Sequence, residues 1–329
     1  MREKLSSLLS GIIKIYKKNI NYSNYAINRN KVKKYAKESI KYIPVNNVTL
    51  KYEEKIEAFR HTLKENMPYV DLSYFDRNLS DLVITEKRIS DNITGRYNVG
   101  LNIIELLNED SGDSITHELL HLSSAFYNNN MRFCGFRQSD DEIDIGRGLN
   151  EGYTSLLDDR YFLEDCSKIY YLLMIISSWI EEIVGKENME KMYFDANLYG
   201  LIEELKKFVD EDAVYDLIKN IDFLYYKFTV NHIPSEEETK YIESTCGKIS
   251  AILLKCYFVK LLKTSKEIPM TNEEFNELLK RYTNKLAVNI CINDARVNFL
   301  TQEIYDYVSE EMLLLNDNLT LVNDSKKMI

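Results

Sequence analysis

Proline is scarce, at positions 44, 68, 234 and 269 only, and none of the four falls where the apolar spacing reads as the interior of a helix. Long helices are therefore permitted through most of the chain. Cysteine is scarce too: five residues with neither Cys-x-x-Cys nor paired spacing exclude a disulfide framework and a zinc ribbon. The odd number fits a reducing compartment, and a cytoplasmic protein is expected. No run of eighteen apolar residues occurs. The nearest, residues 169–180, is interrupted by Ser177 and Ser178 and followed by Glu181 and Glu182, so it reads as a buried helix and no transmembrane segment is expected. The alternating Asp-x-Asp-x-Asp-Gly of a calcium loop is missing from the acidic cluster Asp140, Asp141, Glu142 and Asp144. That cluster reads as a solvated loop, with Cys134 a small buried residue before it. Internal repeats and low-complexity linkers are absent.

Of only four histidines, two stand four residues apart in His117-Glu118-Leu119-Leu120-His121. On a helix this spacing projects both rings from one face, where they can hold a metal. Ser111, Asp113 and Ser114 offer oxygens to cap the helix start, and Ile115, Leu119, Leu122 and Phe126 recur at helical spacing to bury another stripe. Downstream, Gly148-Leu149-Asn150-Glu151-Gly152-Tyr153-Thr154 opens a second apolar-periodic run through Leu156, Leu157 and Phe162. Glu151, thirty positions after His121, falls in its first turn and can be a third ligand. The alternatives are an ordinary helix with two partly buried histidines, and a solvated glutamate favoured by the helix dipole.

The two segments together resemble the gluzincin group of zinc metallopeptidases, in which a His-Glu-x-x-His helix is followed by a second helix contributing a glutamate. Leu149 to Thr154 is similar to the Leu-Asn-Glu-Gly-aromatic-Ala/Thr signature of aminopeptidase-like members. The gap before the glutamate is longer than in those members, and their Gly-x-Met-Glu-Asn segment is absent, so the likeness is to the clan and covers residues 80–165. It implies Zn2+ held by His117, His121 and Glu151. It also implies a strand before the metal helix along whose edge a peptide lies extended, for which Tyr97 to Ile104 is the candidate.

The residue chemistry agrees with that expectation. Two imidazoles and one carboxylate leave zinc a fourth position open for water, as in catalytic rather than structural sites. Glu118, beside His117, is the candidate general base and acid. An oxyanion needs a further donor, for which His232 and Tyr153 rank ahead of Tyr161 and Tyr199; His61 and His232, outside both motifs, also read as structural or exposed. Thr154, Ser155 and Asp158 follow the glutamate on its helix and are within reach of the imidazoles as orienting groups. The expected function is a zinc-dependent metallopeptidase acting on a peptide or protein substrate. One rival is a catalytically idle relative whose helical half is an interaction module, against which the intact Glu118 speaks. Another is a zinc hydrolase of a non-peptide amide or ester.

Charge divides the chain. Of the formal net charge of -10, residues 1–42 contribute eleven Lys or Arg against Glu3 and Glu38, leaving the remainder strongly acidic and nucleic acid an unlikely partner. Leu5, Leu8, Leu9, Ile12 and Tyr16 mark an amphipathic helix there, suited to docking on the acidic body or to a weak membrane-surface contact. An extended run at Leu82 to Thr85 precedes a turn near Ser90 to Gly95. Beyond residue 165 the pattern is helical, with capping boxes at Ser235/Glu238 and Thr271/Glu274. The expected fold is α+β and mainly α-helical, in three parts. These are a basic extension over 1–45, a zincin-like catalytic region with a small mixed sheet over 46–165, and a helical region over 166–329 forming one wall of the cleft.

Overall fold

Apolar residues at helical spacing, with few breakers between them, carry most of the chain into helices, and the protein is α+β, mainly helical, with two small sheets. The computed structural model describes residues 47–86, 94–107, 115–128, 131–140, 142–162, 170–229, 235–264, 271–290 and 297–327. The basic N-terminal helix, the expected cap residues Ser111, Asp113 and Ser114, and His232 lie outside the described residues. Two compact units form. One holds the described residues of Met1–Asn150, Thr154–Cys166 and Glu190–Gly200, the other those of Glu151–Tyr153, Ser167–Met189 and Leu201–Ile329.

In the first unit a 3-10 turn (Thr49–Tyr52), α1 (Glu53–Asn66) and α2 (Ser73–Leu79) lead into β1 (Val83–Glu86), β2 (Gly95–Asn98) and β3 (Ile103–Leu106). The sheet order is β1-β3-β2, with β1 parallel and β2 antiparallel to the central β3. Tyr97 to Ile104 is thus two arms of a hairpin instead of the single strand expected. Asn98 Oδ1 accepts the N–H groups of Gly100 (3.1 Å) and Leu101 (3.2 Å), and Asn102 takes φ 52°, which turns the chain back and puts β2 at an edge of the sheet with β3 at its centre.

α3 (Ile115–Ser123) packs on β2, β3, α1 and α2, with Ile115, Leu119, Leu120 and Leu122 fully buried. Each such side chain contributes about 2 kcal/mol of burial. Phe126 does not extend this stripe. The Ser123 and Ser124 hydroxyls bond back to carbonyls of Leu119, Leu120 and His121, competing with the helical ladder, and the chain leaves the helix into β4 (Ala125–Asn128). With β5 (Met131–Cys134), β6 (Arg137–Ser139) and β7 (Asp144–Ile145) it makes an antiparallel meander. Asp140, Glu142 and Asp144 of the acidic cluster are held in this meander, while Asp141 lies outside the described residues. Asp140 Oδ1 accepts the N–H groups of Glu142 and Ile143 (2.6 and 2.7 Å), and Asp144 accepts two bonds from Arg137 (2.7 and 2.8 Å).

Gly146, at φ 74° and with its Cβ position 2.1 Å from Phe136 O, then starts α4 (Arg147–Phe162). The return of residues 190–200 to this unit, which no sequence pattern announced, has a polar anchor. Glu190 on α6 (Lys186–Phe194) is fully buried and accepts Tyr161 Oη (2.6 Å), Arg160 Nη1 (3.3 Å) and Tyr69 Oη.

The second unit is helical: α5 (Tyr171–Val184), part of α6, most of α7 (Leu198–Leu205), α8 (Glu211–Thr229), α9 (Glu236–Thr264), α10 (Asn272–Ile290) and α11 (Val297–Lys327). α5 is the buried helix expected around residues 169–180, with Leu173, Ile176 and Ile180 fully covered. Both capping boxes close as expected: Ser235 Oγ accepts Glu238 N–H (3.2 Å) while Glu238 Oε2 accepts Ser235 N–H (3.0 Å), and Thr271 and Glu274 repeat the exchange. Phe258 packs edge-on against Phe275 and Tyr282, and Trp179 against Tyr257 and Tyr282. No described helix is long and apolar enough to cross a membrane.

Candidate metal centre

The one-face projection expected of His117 and His121 is realised on α3, where the two Nε2 atoms approach to 3.2 Å. Zinc–nitrogen bonds of about 2.0–2.1 Å in tetrahedral geometry hold two ligand nitrogens about 3.3 Å apart, so the imidazoles already stand at ligand spacing. Glu151 comes from α4, and one ligand atom from each of His117, His121 and Glu151 lies within 4.8 Å of the others. Glu151 occupies the second turn of α4, not the first. The helix begins four residues earlier, at Arg147, and Asn150 N–H already donates to Gly146 O (2.9 Å). His121 is buried, whereas His117 and Glu151 are partly exposed and keep the cluster open to solvent.

The outward Nδ1 atoms meet different surroundings. Asp158 Oδ2 lies 3.8 Å from His117 Nδ1, and its Oδ1 accepts Thr116 Oγ1 at 2.7 Å. Burial raises the Asp158 carboxyl above its ordinary range, against the pull of His117 and the Thr116 hydrogen bond. Around His121 Nδ1 stand Asn150 Nδ2 (3.2 Å), Thr154 Oγ1 (3.5 Å) and Cys134 Sγ (3.6 Å). The structure thus brings Thr154 and Asp158 to the histidines, as expected, while Ser155 is fully buried. Cys134 is the small buried residue expected, and it also lies beside His121.

Asn150, Tyr193 and the turn at Gly135 and Phe136 were not anticipated. Asn150 Oδ1 accepts Phe136 N–H (3.1 Å), and Tyr193 Oη lies 2.7 Å from Thr154 Oγ1. A signal for Asn150 exists: Asn150, Glu151, Thr154 and Asp158 stand at helical spacing and form one polar stripe along the helix. Tyr193 is one of 24 tyrosines and has none.

The oxyanion candidates fare differently. Tyr153 is fully buried and its hydroxyl donates to Glu181 Oε2 (2.8 Å). Two residues along a helix are turned about 200° apart, so Tyr153 faces away from the side that Glu151 presents. The Tyr161 hydroxyl is held by Glu190, and Tyr199 is half-buried on α7. Glu118, in the same turn as His117, is buried. His61 is exposed on α1 beside Glu65 (3.1 Å). Compared with known proteins, the chain matches no family model, no curated protein and no solved structure.

Proposed function

We propose that the protein is a zinc-dependent metallopeptidase of gluzincin type, with His117, His121 and Glu151 as ligands and Glu118 as general base and acid. The observation that carries this reading is the donor set itself: two imidazole Nε2 atoms 3.2 Å apart, with a carboxylate oxygen in the same cluster. Nitrogen and oxygen donors of this kind, three in number and with no thiolate among them, suit a catalytic zinc. When bound, the metal supplies Lewis acidity to a water and to the substrate carbonyl.

The chain's own residues do the remainder. Asp158 and the groups around His121 Nδ1 hold the rings in their ligating orientation. Glu118, shielded from bulk water one position after His117, takes the proton of the attacking water on its carboxylate and returns it to the leaving amine. The edge strand β2, packed on α3, is where an extended peptide would add as a further strand, held by backbone hydrogen bonds regardless of its side chains.

The test is metal content of the purified full chain by elemental analysis, for wild type, Glu151→Ala and Glu118→Gln, followed by assay against a quenched peptide library. The expected result is about one zinc per chain in wild type and in Glu118→Gln, loss of metal in Glu151→Ala, and peptide cleavage by wild type alone. Wild-type protein that takes up no zinc when zinc is supplied would overturn the reading.

A further inference from the structure

We infer that Tyr153 and Glu181 are positioning residues for the metal ligand Glu151, holding the turn of α4 that carries it against α5. The inference rests on the zinc reading above and extends it to Glu181, which lies outside both motifs.

The grip of a metal site depends on where the backbone puts each ligand, and a ligand on a helix is placed by whatever the far side of that helix rests on. Successive helical residues are turned by about 100°, so Gly152 flanks Glu151 and Tyr153 points away from it. Both meet α5, within the second unit. A Cβ on Gly152 would stand 2.5 Å from Leu173 O and 2.7 Å from Ser177 Oγ, so the Gly152 backbone lies directly on α5, an approach that only glycine permits. The next residue decides how the turn sits there. Tyr153 is fully buried, and its hydroxyl donates to Glu181 Oε2 at 2.8 Å. Leu173, Ser177 and Glu181 follow at four-residue intervals and form one stripe of α5, so Gly152 is seated at one end of the stripe and Tyr153 reaches to the other. Glu181 is buried as well, so water does not contest this bond. The contact at Gly152 sets the separation of the two helices, and the bond from Tyr153 sets the rotation of α4 about its own axis. That rotation swings the Glu151 carboxylate towards the two imidazoles or away from them.

The experiment measures zinc affinity of the full chain by competition with a chromogenic chelator, together with the melting temperatures of the zinc-loaded and metal-free protein. Tyr153→Phe and Glu181→Leu are each expected to weaken zinc binding about tenfold and to narrow the gap between the two melting temperatures. Glu181→Gln, which keeps an oxygen to accept the tyrosine hydroxyl, should stay within about twofold of wild type. The double variant Tyr153→Phe/Glu181→Leu should bind no more weakly than the weaker of the two single variants, because both act through one bond. A pair with only a packing role would lower both melting temperatures of Tyr153→Phe together and leave its zinc affinity at the wild-type value, which would overturn the inference. So would a double variant whose loss is the product of the single losses. Wild-type protein that binds no zinc sinks the metal reading and this inference together. Tight wild-type binding with an unaffected Tyr153→Phe sinks the inference alone.

Discussion

The Asp158 carboxyl group stands behind His117, and its removal separates orientation from ligation. Asp158→Asn keeps the shape of the side chain, so Thr116 retains an oxygen to donate to, while the imidazole loses its anionic partner at 3.8 Å. Zinc affinity is expected to fall about tenfold, read by chelator competition, with the thermal melt no lower than wild type, because burial already disfavours this charge. Unchanged affinity would show that Asp158 does not orient the ring. At this scale the sequence was legible where helical spacing decides direction. The four-residue interval of the histidines and the positions of Thr154 and Asp158 after Glu151 follow from 3.6 residues per turn. Tyr153 was illegible only until that arithmetic is applied to it, since a residue two positions from Glu151 faces the opposite way. Tyr193 was beyond reach, for its partner Thr154 is distant in sequence and tyrosines are too many to single one out.

Between the helices that carry the candidate ligands, the long interval that separates His121 from Glu151 is occupied by the β4 to β7 meander, and the turn joining β5 to β6 is pressed against Asn150. Gly135 holds φ 52°, and a Cβ there would lie 2.2 Å from Asn150 Oδ1 and 2.4 Å from Tyr193. Gly135→Ala therefore strains the backbone and pushes on two groups around His121. The expected cost is about 2 kcal/mol of stability, measured by denaturant unfolding, together with weaker zinc binding. Wild-type stability in this variant would mean the turn yields without effect on α4. Elements were legible in proportion to their length. The helix at residues 171–184 and the two capping boxes rest on strong local signals, whereas short strands of two to four residues leave a pattern too brief to place. The hairpin at 95–106 was misjudged as one strand because its reversal depends on the turn bonds accepted by Asn98 and on the positive φ of Asn102, both invisible to hydrophobic alternation.

Across the whole molecule, burial of weak acids sets the alkaline limit of stability. The Cys256 thiol is pushed up to about 12 by burial, the Tyr257 phenol to about 12 by burial and its bond with Tyr282, and the Tyr97 phenol is raised by burial as well. These folded values lie above the unfolded values of 9.0 and 10.0, so each contribution is intact below the unfolded pKa and is lost as pH rises towards the folded one. The melting temperature is expected to hold up to about pH 9 and to fall between about pH 9 and 12, with a shallower fall in Cys256→Ala. A level melting temperature across that range would refute this assignment. The same burial has a kinetic side. Cys134 lies in the first unit and Cys246 and Cys256 in the second, all three outside any disulfide and closed off from solvent. An alkylating reagent reaches each one only when its surroundings open. In a chain with Cys166 and Cys291 replaced, the rate at which mass is added at Cys134, set against the rates at Cys246 and Cys256, would time the breathing of the two units separately and show which one gives way first.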